Sequence, residues 1–185
     1  MLRIEGISKS YAKGSRRAVD DLTLHVEAGE IFGFLGPNGA GKTTTIKMIV
    51  GLLTPDSGRI SVDGRDVVQD PVGAKLGMGY VPDNPDLFDR LTGVEYLNFM
   101  GDVYGVPAGE RSKRIDSLLG MFELKGAVRD LVASYSHGMR QKLALTGALL
   151  SHPKLLVLDE PMVGLDPKSS HLFKEMMNGH CEEGG

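Results

Sequence analysis

Gly36-Pro37-Asn38-Gly39-Ala40-Gly41-Lys42-Thr43 fits the pattern G-x-x-x-x-G-K-[ST] at every fixed position. Glycines at these spacings let backbone N–H groups wrap a phosphate. A lysine six residues after the first glycine reaches the β/γ oxygens, and the Thr43 hydroxyl is placed to ligate Mg²⁺. A helix starting at Lys42 adds its positive dipole end. A second stretch, Leu155-Leu156-Val157-Leu158-Asp159-Glu160-Pro161, sets two acids at the end of an apolar run. Asp-Glu-Pro is a common way to leave a strand. Beside a phosphate loop the same residues suit chemistry: Asp159 to hold the metal, Glu160 to orient or deprotonate water. A third stretch, Ser134-Tyr135-Ser136-His137-Gly138-Met139, opens onto an apolar-periodic helix and makes another anion-friendly helix start. Ser136 has the residue type of an ordinary N-cap, and a capped helix start is also what an anion site needs.

The elements that must position these residues alternate. LRIEGI and LTLHV (22–26) read as strands, with a turn at 28–30. IFGFLG (31–36) reads as a buried strand feeding the phosphate loop. TTTIKMIVGLL carries apolar residues at helical spacing and Gly51 near its stop. Residues 55–58 form a turn, RISVDG returns as strand and turn, and MGYV (78–81) is a short strand. Thr92-Gly93-Val94-Glu95 is a capping box. GERSKRIDSLLGMF is amphipathic, with Ile115, Leu118, Leu119 and Phe122 on one face. Residues 84–150 therefore read as a helical insertion between β-rich flanks; LLVLD restores a strand and Pro167 begins a last helix. Strands alternating with helices around a phosphate loop argue for an α/β fold with a largely parallel central sheet.

With 185 residues the chain fits one domain. A net charge of −3 does not suggest general nucleic-acid binding, which usually needs a basic face, although an acidic total leaves room for a local basic patch. The one cysteine, Cys181, cannot form an internal disulfide, so a reducing cytoplasm is the expected compartment. The start has no apolar core of signal-peptide length, and no run approaches a membrane span. Service to a membrane is expected to go through a partner.

Over essentially its whole length the chain resembles the nucleotide-binding subunit of ATP-binding cassette (ABC) transporters. GPNGAGKTT looks like that family's Walker A, LLVLDEP like its Walker B, YSHGM like its signature motif and Gly164-Leu165-Asp166 like its D-loop. The resemblance implies a P-loop NTPase core with a largely parallel sheet, an N-terminal antiparallel β part and an inserted helical subdomain. Residues 1–83 and 151–185 are expected to form the core and β part, and residues 84–150 the subdomain. It implies ATP and Mg²⁺ as cofactors. ATP would be held by Gly36, Pro37, Asn38, Gly39, Ala40, Gly41, Lys42, Thr43 and Thr44, and the metal by Thr43 and Asp159, with Glu160 catalytic. Two subunits, identical or paired, would face head to tail, so that Ser136 and Gly138 of one contact ATP held by the other. That arrangement explains why one chain carries two anion-friendly helix starts. His137 stands where the family usually has glycine and is given no catalytic role.

Two positions keep two readings each. Tyr11, twenty-five residues before Gly36, is an exposed strand end by itself and an adenine-stacking aromatic by resemblance. Asp83 stands where the family has its Q-loop glutamine; it is either a ligand of Mg²⁺ and the γ-phosphate or a turn residue in Asp83-Asn84-Pro85. The resemblance further implies an integral membrane permease as partner, a location on the inner face of the cell membrane through that permease, and no nucleic acid. The wording of the motifs points to exporter-type subunits. A nucleotide-binding subunit with little turnover is one alternative, and a soluble ABC ATPase of translation or DNA maintenance is the other. Family members continue with a further strand and a switch-region histidine. The C-terminal part of the domain is thus expected to be missing, with weak turnover. His171 and His180 come too early for the switch role and are expected at the surface.

Overall fold

The computed structural model describes residues 1–11, 16–162 and 165–185. These divide into two compact units, residues 1–78 with 180–185, and residues 79–179.

In the first unit, β1 (Leu2–Tyr11) lies between β2 (Arg16–Val26) and β3 (Ser57–Val62), antiparallel to both, and β4 (Arg65–Asp66) extends β3. Leu2 and Ile4 alternate inward along β1, and an irregularity at the left-handed Gly6 shifts the register so that Ile7 is inward too; all three are buried, as are Val19, Val26, Ile60 and Val62. Helix α1 (Lys42–Ile49) buries Thr45, Ile46, Met48 and Ile49. It stops at Gly51, whose φ of 66° ends the helix in the left-handed region. The short α2 (Pro71–Leu76) is capped by the Asp70 side chain. Residues 180–185 return to this unit, where the Gly29 N–H donates to the Gly185 carbonyl (3.0 Å).

Residues 31–35 depart from the expected buried strand. They form no strand, and Ile31, Phe32 and Leu35 are 56%, 45% and 94% exposed. An apolar run becomes a strand only where a neighbour can complete its backbone bonds. Among the described residues no strand of either sheet pairs with this segment. Hydropathy announced the run but could not announce a partner.

The second unit pairs β5 (Met78–Val81) with β6 (Leu155–Leu158) in a parallel sheet. Their C-terminal ends lie together, the Asp159 N–H donating to the Val81 carbonyl (2.9 Å). Helices α3 (Gly93–Val103), α4 (Ala108–Met121), α5 (His137–Leu149) and, as far as residue 179, α6 (Pro167–Glu182) complete it. The capping box forms as expected: Thr92 Oγ1 accepts from the Glu95 N–H, and Glu95 Oε2 accepts from the Thr92 N–H. Leu97, Phe122, Leu143, Leu145, Leu150 and Phe173 are essentially wholly buried in one core. Each such side chain contributes roughly 1.5–3 kcal/mol, enough to hold α5 firmly while its first turn stays at the surface.

The histidines split. His171 is exposed as expected, facing Glu175 (3.4 Å). His180 is half-buried instead, because the returning chain lays Gly185 against its ring.

Candidate functional site

The phosphate-loop residues sit at the start of α1. Gly41 is its N-cap in the left-handed region (φ 88°), without a side-chain cap. A Cβ there would stand 2.3 Å from the Ala18 carbonyl oxygen, so only glycine lets the loop pass β2. Gly39 is also left-handed (φ 83°), and a turn joins the Ala40 N–H to the Pro37 carbonyl (3.2 Å). Gly36, Pro37, Asn38, Gly39 and Ala40 are all exposed. The Lys42 ammonium folds back over the loop, donating to the carbonyls of Gly36 (2.6 Å) and Pro37 (3.1 Å). An uncapped helix start leaves first-turn N–H groups without intrahelical acceptors. Those donors, a left-handed glycine pair and one ammonium make a cradle for an oxyanion. Thr43 is exposed and Thr44 half-buried on the same first turn. Tyr11 is 43% exposed at the end of β1, opposite Arg16 in the ladder.

In the second unit the acids gather around the C-terminal ends of the strand pair. Burial, then the charges of Asp159 and Asp83, push the Tyr80 phenol up. Asp83 Oδ1 also accepts from the Asn84 N–H (2.8 Å), so its turn role is realised. Glu160 is exposed and left-handed (φ 49°) ahead of Pro161. A non-glycine residue there costs on the order of 1 kcal/mol or more, a strain that clusters at functional sites.

Ser136 caps α5: its Oγ accepts from the Met139 N–H (3.3 Å), and its carbonyl from the Arg140 N–H (2.9 Å). Ser136 and His137 are exposed and Gly138 half-buried. The buried Tyr135 fixes this entry by donating its hydroxyl to the Ala127 carbonyl (2.7 Å). Burial first, then Asp130, raises that phenol's pKa.

Sequence reading missed four partners of this site. Arg140 pairs with Asp89 (2.6 Å) and Lys142 with Asp166 (3.1 Å), across 51 and 24 residues. Gln141 between them is wholly buried, with neither amide atom hydrogen-bonded among the described residues. Asp166 is the cap of α6, accepting from the Ser169 N–H (2.9 Å) and hydroxyl (2.6 Å). A cap signal was visible in Asp166-Pro167-Lys168-Ser169; the ion pairs had no local signal. Gly164, in the D-loop stretch, lies outside the described residues.

Thr43, Asp83 and Asp159 are hard oxygen donors of the kind Mg²⁺ takes, and among the described residues no group of three His, Cys, Asp or Glu gathers into a cage. No helix among the described residues is long and apolar enough to cross a membrane.

The family model described as ABC transporter matches residues 19–163. The linearmycin resistance ATP-binding protein of Bacillus subtilis is 40% identical across all of this chain and 58% of its own length. A Nod factor export ATP-binding protein of Cupriavidus metallidurans is 36% identical across all of the chain and 60% of its own length. This chain thus spans little more than half of those curated relatives. A solved structure described as the ATP binding subunit of an ABC transporter superposes with a TM-score of 0.95 at 35% identity, covering all of this chain and 76% of that one. An ATP-binding cassette solved as a dimer, in a post-hydrolysis state with ADP and Pi, superposes at 0.88 and 25% identity, covering 99% of this chain and 84% of that one. The fold is that of ABC ATPase cassettes, a P-loop NTPase fold. The chain belongs to the ABC transporter family, as an ATP-binding cassette.

Proposed function

We propose that this chain is the ATP-binding and ATP-hydrolysing subunit of an ABC exporter, dimerising on ATP and driving a separate membrane permease from the inner face of the cell membrane. The observation that carries the reading is the uncapped, glycine-built start of α1 with the Lys42 ammonium folded over it. That cradle would take the β/γ-phosphates through residues 36–44, with Tyr11 against the base. Thr43 and Asp159, with Asp83, would hold Mg²⁺, which when bound supplies charge neutralisation at the phosphates. Glu160 would orient and deprotonate the attacking water from its exposed strand end. Ser136 and Gly138 would meet the γ-phosphate of a second cassette at the start of α5. The division into core, 1–83 and 151–185, and helical subdomain, 84–150, belongs to the same reading. The resistance and export functions named for two relatives support export over import.

The test compares Lys42→Ala with Glu160→Gln, using labelled ATP and phosphate release. Lys42→Ala should lose ATP binding, because it removes the charge facing the β/γ oxygens. Glu160→Gln should keep ATP bound and stop turnover. Near-normal ATP binding by the Lys42 variant would sink the assignment.

A further inference from the structure

We propose that Lys142 is a positioning residue for hydrolysis, its ion pair with Asp166 tying the helix that begins at Ser136 to the segment that carries Glu160. The proposal rests on the functional reading above. Lys142 stands in the second turn of α5, six residues after Ser136, with its side chain only 13% exposed. Its Nζ donates to Asp166 Oδ2, while Asp166 also holds the N–H and hydroxyl of Ser169. The carboxylate is thus fixed by α6, and Lys142 attaches α5 to that fixed point.

On either side of Glu160 in the chain stand two anchored acids: the Asp159 N–H meets the Val81 carbonyl, and Asp166 caps α6. Glu160 sits one residue past the first anchor in a left-handed conformation. Two residues earlier on α5, Arg140 holds Asp89 (2.6 Å) in the loop that follows Asp83. Successive cations of one helix therefore reach both acid-bearing segments of the strand pair. A partly exposed ion pair adds little to stability. Its geometric consequence is larger: a shift of the α5 start on meeting a γ-phosphate is delivered to Glu160 through Lys142 and Asp166.

The experiment uses steady-state ATP hydrolysis, labelled-ATP binding and amide hydrogen exchange on Lys142→Met, Asp166→Asn, their double variant and Lys142→Arg. Asparagine caps helices about as well as aspartate, so Asp166→Asn removes the charge and keeps the cap. Expected is a fall in kcat of about tenfold in each single variant with KM within about twofold, a size typical of coupling between packed elements. The double variant should be no slower than either single, Lys142→Arg should recover most of the rate, and exchange over 159–166 should rise in Lys142→Met. Unchanged kcat in both single variants, or kcat, KM and melting temperature falling together with no recovery by arginine, overturns the positioning role alone. A wild-type chain that neither binds nor hydrolyses ATP overturns the functional reading and this proposal with it.

Discussion

Replacing Gln141 by methionine should make the protein more stable, although it removes a polar side chain from the middle of the signature helix. Gln141 is 0% exposed, and neither Oε1 nor Nε2 has a hydrogen-bond partner among the described residues. Burying an amide without partners costs about 1–3 kcal/mol on mutational scales. Methionine is also unbranched, similar in length and tolerant of irregular space, so repacking should cost less than about 1 kcal/mol. The expected net gain is about 1–2 kcal/mol, which for a chain of this size raises the melting temperature by roughly 2–8 °C. Urea unfolding gives the sign directly, as a higher midpoint with an unchanged slope. Gln141→Glu serves as the opposite control, since an unpaired buried charge costs several kcal/mol. A methionine variant less stable than wild type by about 1 kcal/mol or more would refute the reasoning, because it would mean that the amide is bonded in solution.

Gly41→Ala should cost at least about 2 kcal/mol and abolish labelled-ATP binding, since its Cβ would overlap the Ala18 carbonyl at a left-handed position; a wild-type melting temperature would contradict this. Ser169, through its hydroxyl and then its N–H, and Lys142 hold the Asp166 carboxyl well below the usual carboxylate range. Its stabilisation is therefore complete above the unfolded carboxylate pKa of about 3.9 and is lost as pH falls below that value toward the lower folded one. Asp166→Asn should flatten the acid side of a melting-temperature profile run from pH 6 to about 2.5, and an unchanged profile would exclude Asp166 as a contributor. Mixing Ser136→Arg subunits with Lys42→Ala subunits should leave at most one intact composite site per heterodimer; ATP-driven dimerisation on a sizing column that ignores Ser136→Arg would refute the trans arrangement.

What could be read in the sequence followed how local the physics was. The Thr92–Glu95 box, the Ser136 cap and the Gly51 stop each involve residues within a turn of one another, and each forms where expected. The helix start at Lys42 was equally legible, because the glycines before it answer to backbone geometry within eight residues. Residues 31–35 failed for the opposite reason, since a strand depends on a neighbour that hydropathy cannot name. The ion pairs of Arg140 and Lys142 span 51 and 24 residues and join charges that would look solvated in any linear reading. Gln141 was invisible too: a glutamine in an amphipathic helix reads as surface until the packing around it is known. His180 is half-buried only because the chain turns back on it.

The folded-back Lys42 bears on the heat and disorder of nucleotide capture. A free lysine side chain carries about 2 kcal/mol of rotamer entropy, which a site must normally extract when it orders that chain around a ligand. Here the ammonium already rests on the Gly36 and Pro37 carbonyls. An arriving phosphate exchanges those bonds for stronger charged ones and freezes little that was moving. Capture should therefore release heat with a small entropic penalty from this residue, and the loop should close around phosphate without first having to find its lysine.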